Sequence, residues 1–226
     1  MTGLSDQSPP SRGSIGRKCA LLILLCAALP LLAADSLVGA FSTQGLMGWK
    51  ETSFAGNTQY RIVKMDGVSV LKAESRASAS GLAFETEVDL EQTPYLYWRW
   101  RVENTLGNID ERTKQGDDYP ARLYVVKKGG LLPWRTRAID YVWSSNRPQG
   151  SSWPNAYTDK AQMLALRSGN TELGQWVTER RNVREDFQRL FGEEITTIDV
   201  IAIMTDTDNS SGHAVAFYGD IRFASE

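Results

Sequence analysis

Past the first forty residues the sequence has no cysteine: both of its cysteines, Cys19 and Cys26, lie near the N-terminus. The body of the chain therefore has no disulfide and no thiolate chemistry. Oxidising compartments permit disulfides without requiring them, and a domain of this size buries enough surface to fold unstapled. Histidine is scarcer still, with His213 alone. A histidine-rich zinc site lacks its second imidazole, and a mixed site lacks a thiolate. A Ser-His-Asp triad would have to use His213, yet no serine sits in a Gly-x-Ser-x-Gly elbow. The Gly-x-Gly-x-x-Gly and Walker A patterns are missing too. Basic charge is also short. The first 34 residues carry three of the 25 basic and one of the 27 acidic residues, so the remainder has a net charge near −4. That balance argues against nucleic acid, which selects a basic face, and against an anionic membrane surface.

The N-terminus has the three parts of a secretory signal. A polar leader runs from Met1 to Gly16. Arg12, Arg17 and Lys18 then precede an apolar run from Cys19 to Leu32, broken only by Pro30. That run is short for a membrane span, which takes about 20 apolar residues. An uncleaved signal anchor competes with this reading, but a cleaved signal leaves no stable membrane insertion. Cleavage has two candidate endpoints. Ala34 lies close to the run but puts Leu32 three residues back, where a small residue is wanted. Ala40 has Val38 and a better local fit, but it is farther away. Cys26 follows Leu24-Leu25 rather than a small residue, which argues against a lipoprotein. The expected organisation is thus a signal over residues 1–40, cut near 34 or 40, and one domain over 41–226. The expected location is periplasmic or extracellular.

What the domain does have is period-two alternation. In Tyr95–Val102, Leu96, Trp98, Trp100 and Val102 share one face, while Tyr97, Arg99 and Arg101 share the other. This is a strand with a core side and a wetter side. Similar strands are expected over 59–64, 68–73, 81–89, 121–126, 139–143, 163–167, 176–180, 198–204 and 214–223. Strands separated by Gly, Asp, Asn and Pro connections favour a two-sheet sandwich. One helix interrupts them near 183–191. Asn182 is placed to cap it with Glu185 three residues on, Val183, Phe187, Leu190 and Phe191 recur at helical spacing, and Gly192 ends it. Two long polar insertions, 103–119 and 144–160, are expected to form binding rims.

Several fragments occur in order: Gly116-Asp117-Asp118 with Ala121-Arg122, Tyr141-Val142-Trp143-Ser144, and Trp176 with Glu179-Arg180-Arg181-Asn182-Val183. Asp186 with Phe191-Gly192 follows, then Ile203-Met204-Thr205-Asp206-Thr207-Asp208-Asn209 and Tyr218-Gly219-Asp220-Ile221. Together they resemble a bacterial family of secreted proteins called domain of unknown function 3047, over about residues 46–223. The resemblance implies export and a single domain. Its layout looks like the galactose-binding-like jelly rolls. The expected fold is therefore an all-β sandwich of that kind, with long loops and one short capping helix.

Four groups of residues are candidates for chemistry. Asp206, Asp208 and Asn209 put alternating oxygen side chains on a tight loop, a pattern that can wrap calcium. A turn bonded to its own backbone is the competing account. Asp117 and Asp118, with Arg122 close by, offer carboxylates for acid and base work, as does Glu179 beside Arg180. Ion pairing and turn formation compete there as well. Asp140 and Asp220 sit among apolar residues and would need partners if buried. Trp143 and Trp153 flank or occupy the second insertion and could form an exposed platform for sugar rings, with Arg122, Asp118, Arg180 and Asn182 bonding hydroxyls. Loop anchoring is the alternative for both indoles. The leading expectation is a carbohydrate-binding-like module of the cell envelope, with an oligosaccharide or polysaccharide as partner. A glycan hydrolase using paired carboxylates and a protein-binding envelope scaffold are the alternatives.

Overall fold

The computed structural model describes residues 1–3 and 35–226. The expected signal core, with Cys19, Cys26 and the Ala34 endpoint, lies outside the described residues. No helix among the described residues is long and apolar enough to cross a membrane.

Fourteen strands and one α-helix follow in chain order. They are β1 (Ser36–Gly39), β2 (Lys50–Ala55), β3 (Gln59–Met65), β4 (Val68–Arg76), β5 (Ala79–Asp89), β6 (Tyr95–Val102), β7 (Ala121–Lys127) and β8 (Arg137–Ser144). Then come β9 (Ser152–Pro154), β10 (Ala161–Ser168), β11 (Val177–Asn182), α1 (Val183–Phe191), β12 (Thr197–Met204), β13 (His213–Tyr218) and β14 (Ile221–Ala224). They form two seven-stranded sheets. The first runs β1-β14-β6-β13-β4-β3, with β11 also against β6; the second runs β2-β5-β12-β7-β8-β10-β9. This is the jelly-roll-like sandwich that the alternating strands imply.

The core between the sheets is built from the apolar rows of those strands. Trp98, Trp100, Trp143 and Tyr141 are fully buried and contact one another edge-on or tilted, at centroid separations of 5.4 to 6.1 Å. Such aromatic pairs add roughly 0.5–1.5 kcal/mol each beyond the area they bury. The helix is capped as expected: Asn182 Oδ1 accepts from the Glu185 amide at 3.2 Å, and Gly192 takes a left-handed φ of 68°. Its Phe187 is fully buried, and the helix closes one end of the core.

Three differences from the sequence reading matter. The expected strand over 214–223 is two strands, because the chain turns at Gly219-Asp220. A side chain at 219 would meet Arg99, its Cβ only 2.6 Å from Cγ. Asp220 is not within a strand but in that turn, accepting from the Ser42 amide at 2.8 Å and from the Ser42 hydroxyl. The expected loop 144–160 contains β9, which pairs with β10. Finally, β1 and β2 are additional strands. β1 pairs with β14 and buries Val38.

Candidate functional site

The outer face of the second sheet is a groove. Register explains its shape. Gly81 stands opposite Met204, Ala83 opposite Ala202, and Tyr124 is flanked by Ala202 and Asp140. Gly and Ala along β5 and β12 leave the sheet surface low, and larger groups rise at either side. Phe54 on β2 and Tyr157 in the second insertion are 69% and 56% exposed and stand as the apolar margins. The recess of about 430 Å³ between them is lined by Asp117, Arg122, Tyr124, Asn155, Asp206 and Asp208, among others. That volume is within the range of small-ligand sites.

Arg122 organises the floor. It projects outward from β7, is 3% exposed, and lies 4.2 Å above the Tyr119 ring. Its Nε donates to Asp206 Oδ1 at 2.9 Å, and Nη2 donates to Asp206 Oδ2 and to the Asp117 carbonyl. Nη1 reaches Asp117 Oδ2 at 3.4 Å. The arrangement is a two-pronged pair with one carboxylate and a looser pair with a second. Burial at this depth is tolerated only because the charges compensate. Burial pushes the Asp117 carboxyl up, and Arg122 pulls it back. Asp206 is governed by the same two opposing effects, with burial the larger.

Two carboxylates here are under-satisfied. Asp117 Oδ1 has no hydrogen-bond partner among the described residues, although the residue is only 6% exposed. Asp140, fully buried on the outward side of β8, has neither oxygen bonded. Burial raises its pKa to about 8, so at neutral pH it is mostly the neutral acid. Its expected partner is thus replaced by a proton.

Asp118, Asp206 and Asp208 bring a carboxylate oxygen each to within 4.8 Å of one another, a grouping that could hold a metal ion. The donor set is already partly engaged. Asp118 accepts from the amides of Asn209 at 3.2 Å and Ser210 at 2.6 Å, and both Asp206 oxygens face Arg122. A cation would have to use remaining lone pairs beside a guanidinium. Asn209 contributes its amide to Asp118, and its side chain bonds Asp208 at 3.2 Å.

The structure thus gathers Asp117, Asp118, Arg122, Asp206, Asp208 and Asn209 at one place and puts the remaining candidates elsewhere. Trp143 is wholly buried between the sheets, its Nε1 donating to the Gly169 carbonyl at 3.1 Å. Trp153 is 5% exposed and packs with Tyr119, Val142 and Met163, bonding the Glu111 carbonyl at 3.2 Å. Neither indole forms the exposed platform expected of them; both anchor chain, because their ring area is worth more in the interior. Glu179 is buried under Trp100 Nε1 (3.0 Å) and Arg167 (2.7 Å), and Arg167 also pairs with Glu172 (3.0 Å), so the two acids are held as partners of one guanidinium away from the groove. Asn182 is the helix cap, and Arg180 is on the outer face of the other sheet.

Sequence reasoning missed Phe54, Tyr157, Tyr124 and Asn155. Glu111, another acid of the first insertion, has a structural place instead: fully buried, it accepts from the Ser145 amide at 2.5 Å and from the Ser144 hydroxyl, fastening that insertion to the end of β8.

The comparisons agree with this architecture. The chain belongs to the family described as protein of unknown function DUF3047, whose model matches residues 47–222. No curated protein sequence matches it. Among solved structures, it is similar to the family 30 carbohydrate-binding module of the cellulosomal cellulase Cel9D-Cel44B of Clostridium thermocellum. The TM-score is 0.51 at 10% identity, covering 86% of this chain and 99% of that one. The family 11 carbohydrate-binding module of Lic26A-Cel5E from the same organism gives 0.47 at 10% identity, covering 85% and 95%. At such identities the likeness is one of fold.

Proposed function

We propose that this member of the DUF3047 family is an exported glycan-binding module whose site is the groove on the outer face of the second sheet. The observation that carries the reading is the recess itself, where Asp117, Arg122, Asn155, Asp206 and Asp208 converge between two exposed aromatic rings. A sugar suits such a lining. Its hydroxyls donate to carboxylate oxygens, and its C–H faces pack on Phe54 and Tyr157. The resemblance in fold to a carbohydrate-binding module supports the reading without choosing a ligand.

The test is titration of the protein against a panel of neutral oligosaccharides, repeated with Asp117→Ala. Binding of at least one sugar, weakened in the variant, is the expected result. A panel without any binder would sink the reading. Calcium belongs to the same proposal as an accessory ion at Asp118, Asp206 and Asp208. Titration with Ca²⁺ and then a chelator is expected to raise and lower thermal stability, and an unmoved transition removes the ion.

A hydrolase is the second reading, because several carboxylates share this groove and burial raises the pKa of Asp117, Asp206 and Asp208. Prolonged incubation of the bound sugar with a reducing-end assay separates the two. Release of new ends that stops in Asp117→Asn would favour the enzyme.

The export reading sharpens at its endpoint. β1 begins at Ser36, pairs with β14 and buries Val38. Cleavage near Ala34 keeps that strand, whereas cleavage after Ala40 removes it and bares an edge of the first sheet. We therefore favour Ala34; N-terminal sequencing of the exported protein, finding a start at Phe41, would reverse this.

A further inference from the structure

The outer face of the first sheet has the opposite character from the groove. Alternation along its strands places Arg99 and Arg101 of β6, Arg180 of β11, Arg222 of β14, Lys72 and Arg76 of β4 and Arg61 of β3 on this side. Some are matched: Glu74 serves Arg61, Lys72 and Arg76, Glu103 serves Arg101, and Asp35 serves Arg222. Hydrogen bonds from Lys72 and then Arg76 hold the Glu74 carboxyl down at about 2, which reflects the positive surroundings. Arg99 and Arg180 have no carboxylate partner among the described residues.

Aromatic rings hold these two instead. The Arg180 guanidinium lies 3.8 Å over the Tyr95 ring, and its Nε donates to the Tyr97 hydroxyl at 2.6 Å. Arg222 covers Tyr97 at 4.2 Å, and Arg99 lies 4.6 Å from the Trp176 ring. Stacking fixes the plane of a guanidinium while leaving N–H groups at its edge, the geometry that suits a planar oxyanion. Between Arg99, Arg222 and Tyr97 is a recess of about 330 Å³, also lined by Ser42, Ser69, Thr178 and Asp220. Its size suits one sugar ring, its hydroxyls suit a polyol, and the Arg99 guanidinium suits a negative charge on that polyol.

We propose that this face is a second binding site, for an acidic polysaccharide with one sugar carboxylate paired to Arg99, beside Arg222, which Asp35 already holds. Arg180 receives the next acidic residue along the chain. The site is separate from the groove and does not depend on the groove binding sugar. Charge complementarity selects the occupant: a neutral glycan leaves Arg99 and Arg180 without an anion, and only a polyol uses the Ser69 and Thr178 hydroxyls.

Titration of the protein with oligogalacturonate, against a neutral galactan oligomer of equal length, tests it. The oligogalacturonate is expected to bind and the galactan not to bind at this face. Arg99→Gln and Arg180→Gln are each expected to weaken binding roughly tenfold, the scale of a lost charge-assisted hydrogen bond. Lys128→Gln, which removes an exposed charge elsewhere, leaves binding unchanged. Arg99→Lys keeps the charge without the planar fork and is expected to lose most of the affinity. Circular dichroism checks that each variant folds. The proposal is overturned if oligogalacturonate does not bind, if Arg99→Lys behaves as the parent, or if phosphatidylglycerol vesicles bind as tightly, which would indicate general attraction to polyanions. A failure in the neutral panel with success here would remove the groove reading and leave this one standing.

Discussion

The two outer sheet faces solve the problem of placing charge on a β-sandwich in opposite ways. On the second sheet, Arg122 is sunk to the floor and its carboxylate partners close over it, so charge is compensated in a nearly dry setting. On the first sheet, Arg99, Arg180 and Arg222 are spread over aromatic rings at the surface, where water still reaches them. Compensation by burial makes the first arrangement part of the fold's stability. Compensation by solvent makes the second nearly independent of it. A charged residue's contribution to stability thus depends on where its counter-charge comes from, and the two faces allow that to be tested within one domain.

The contrast should be largest at Arg122. Arg122→Met is expected to cost about 3–5 kcal/mol, because it leaves Asp206 and Asp117 buried without a cation. Chemical denaturation measures this, and a loss below about 1 kcal/mol would make the floor an ordinary surface pair. Asp140 comes next. Its folded pKa of about 8 is far above the value of an unfolded aspartate. The folded protein therefore keeps a proton that the unfolded chain has lost between about pH 4 and 8. The stability this site supplies is complete below that window and is lost as pH rises through it. Asp140→Asn should match the parent near pH 4 and exceed it by several kcal/mol near pH 9, as read from paired unfolding curves. A gap that does not widen with pH would mean that Asp140 is ionised and partnered.

Smaller effects are expected at the margins and on the other face. Phe54→Ala and Tyr157→Ala should each weaken binding of a groove sugar roughly tenfold, the scale of one lost aromatic contact. Both side chains are exposed, so stability should stay within about 0.5 kcal/mol of the parent. An unchanged affinity would separate the aromatics from the site. Arg180→Ala should move stability by no more than about 1 kcal/mol, the range for an exposed cation over a ring. A larger loss would show the two faces to be built alike after all.

The sequence made much of this layout readable, and the exceptions have physical causes. Strand β6 was legible because four apolar side chains alternate with polar ones, and α1 because Asn182 and Gly192 are caps whose geometry requires those residue types. The acidic loops were legible as residues, since Asp117, Asp118, Asp206 and Asp208 stand out against their neighbours. What could not be read was that two distant loops meet over β7, with Arg122 between them. Trp143 and Trp153 misled because their neighbours in sequence are polar; Ser144, which follows Trp143, is itself buried, bonded to Glu111. The reverse error hid Phe54, since β2 is an exposed edge strand whose side chains alternate without a buried row. A single aromatic on such a strand is noticed only once the groove beside it is known.

The pairing of β8 with β10 is parallel, alone among the strand pairs described. Parallel neighbours cannot be joined by a tight hairpin, so the chain must travel the length of the sheet between them. The segment 145–160 makes that journey and carries Asn155 and Tyr157 to the groove on its way. For anyone redesigning the protein, this segment is a bridge with a fixed span and a replaceable surface. Exchanging the side chains near Tyr157 should retune what the groove accepts, whereas shortening the bridge would pull the sheet itself out of order.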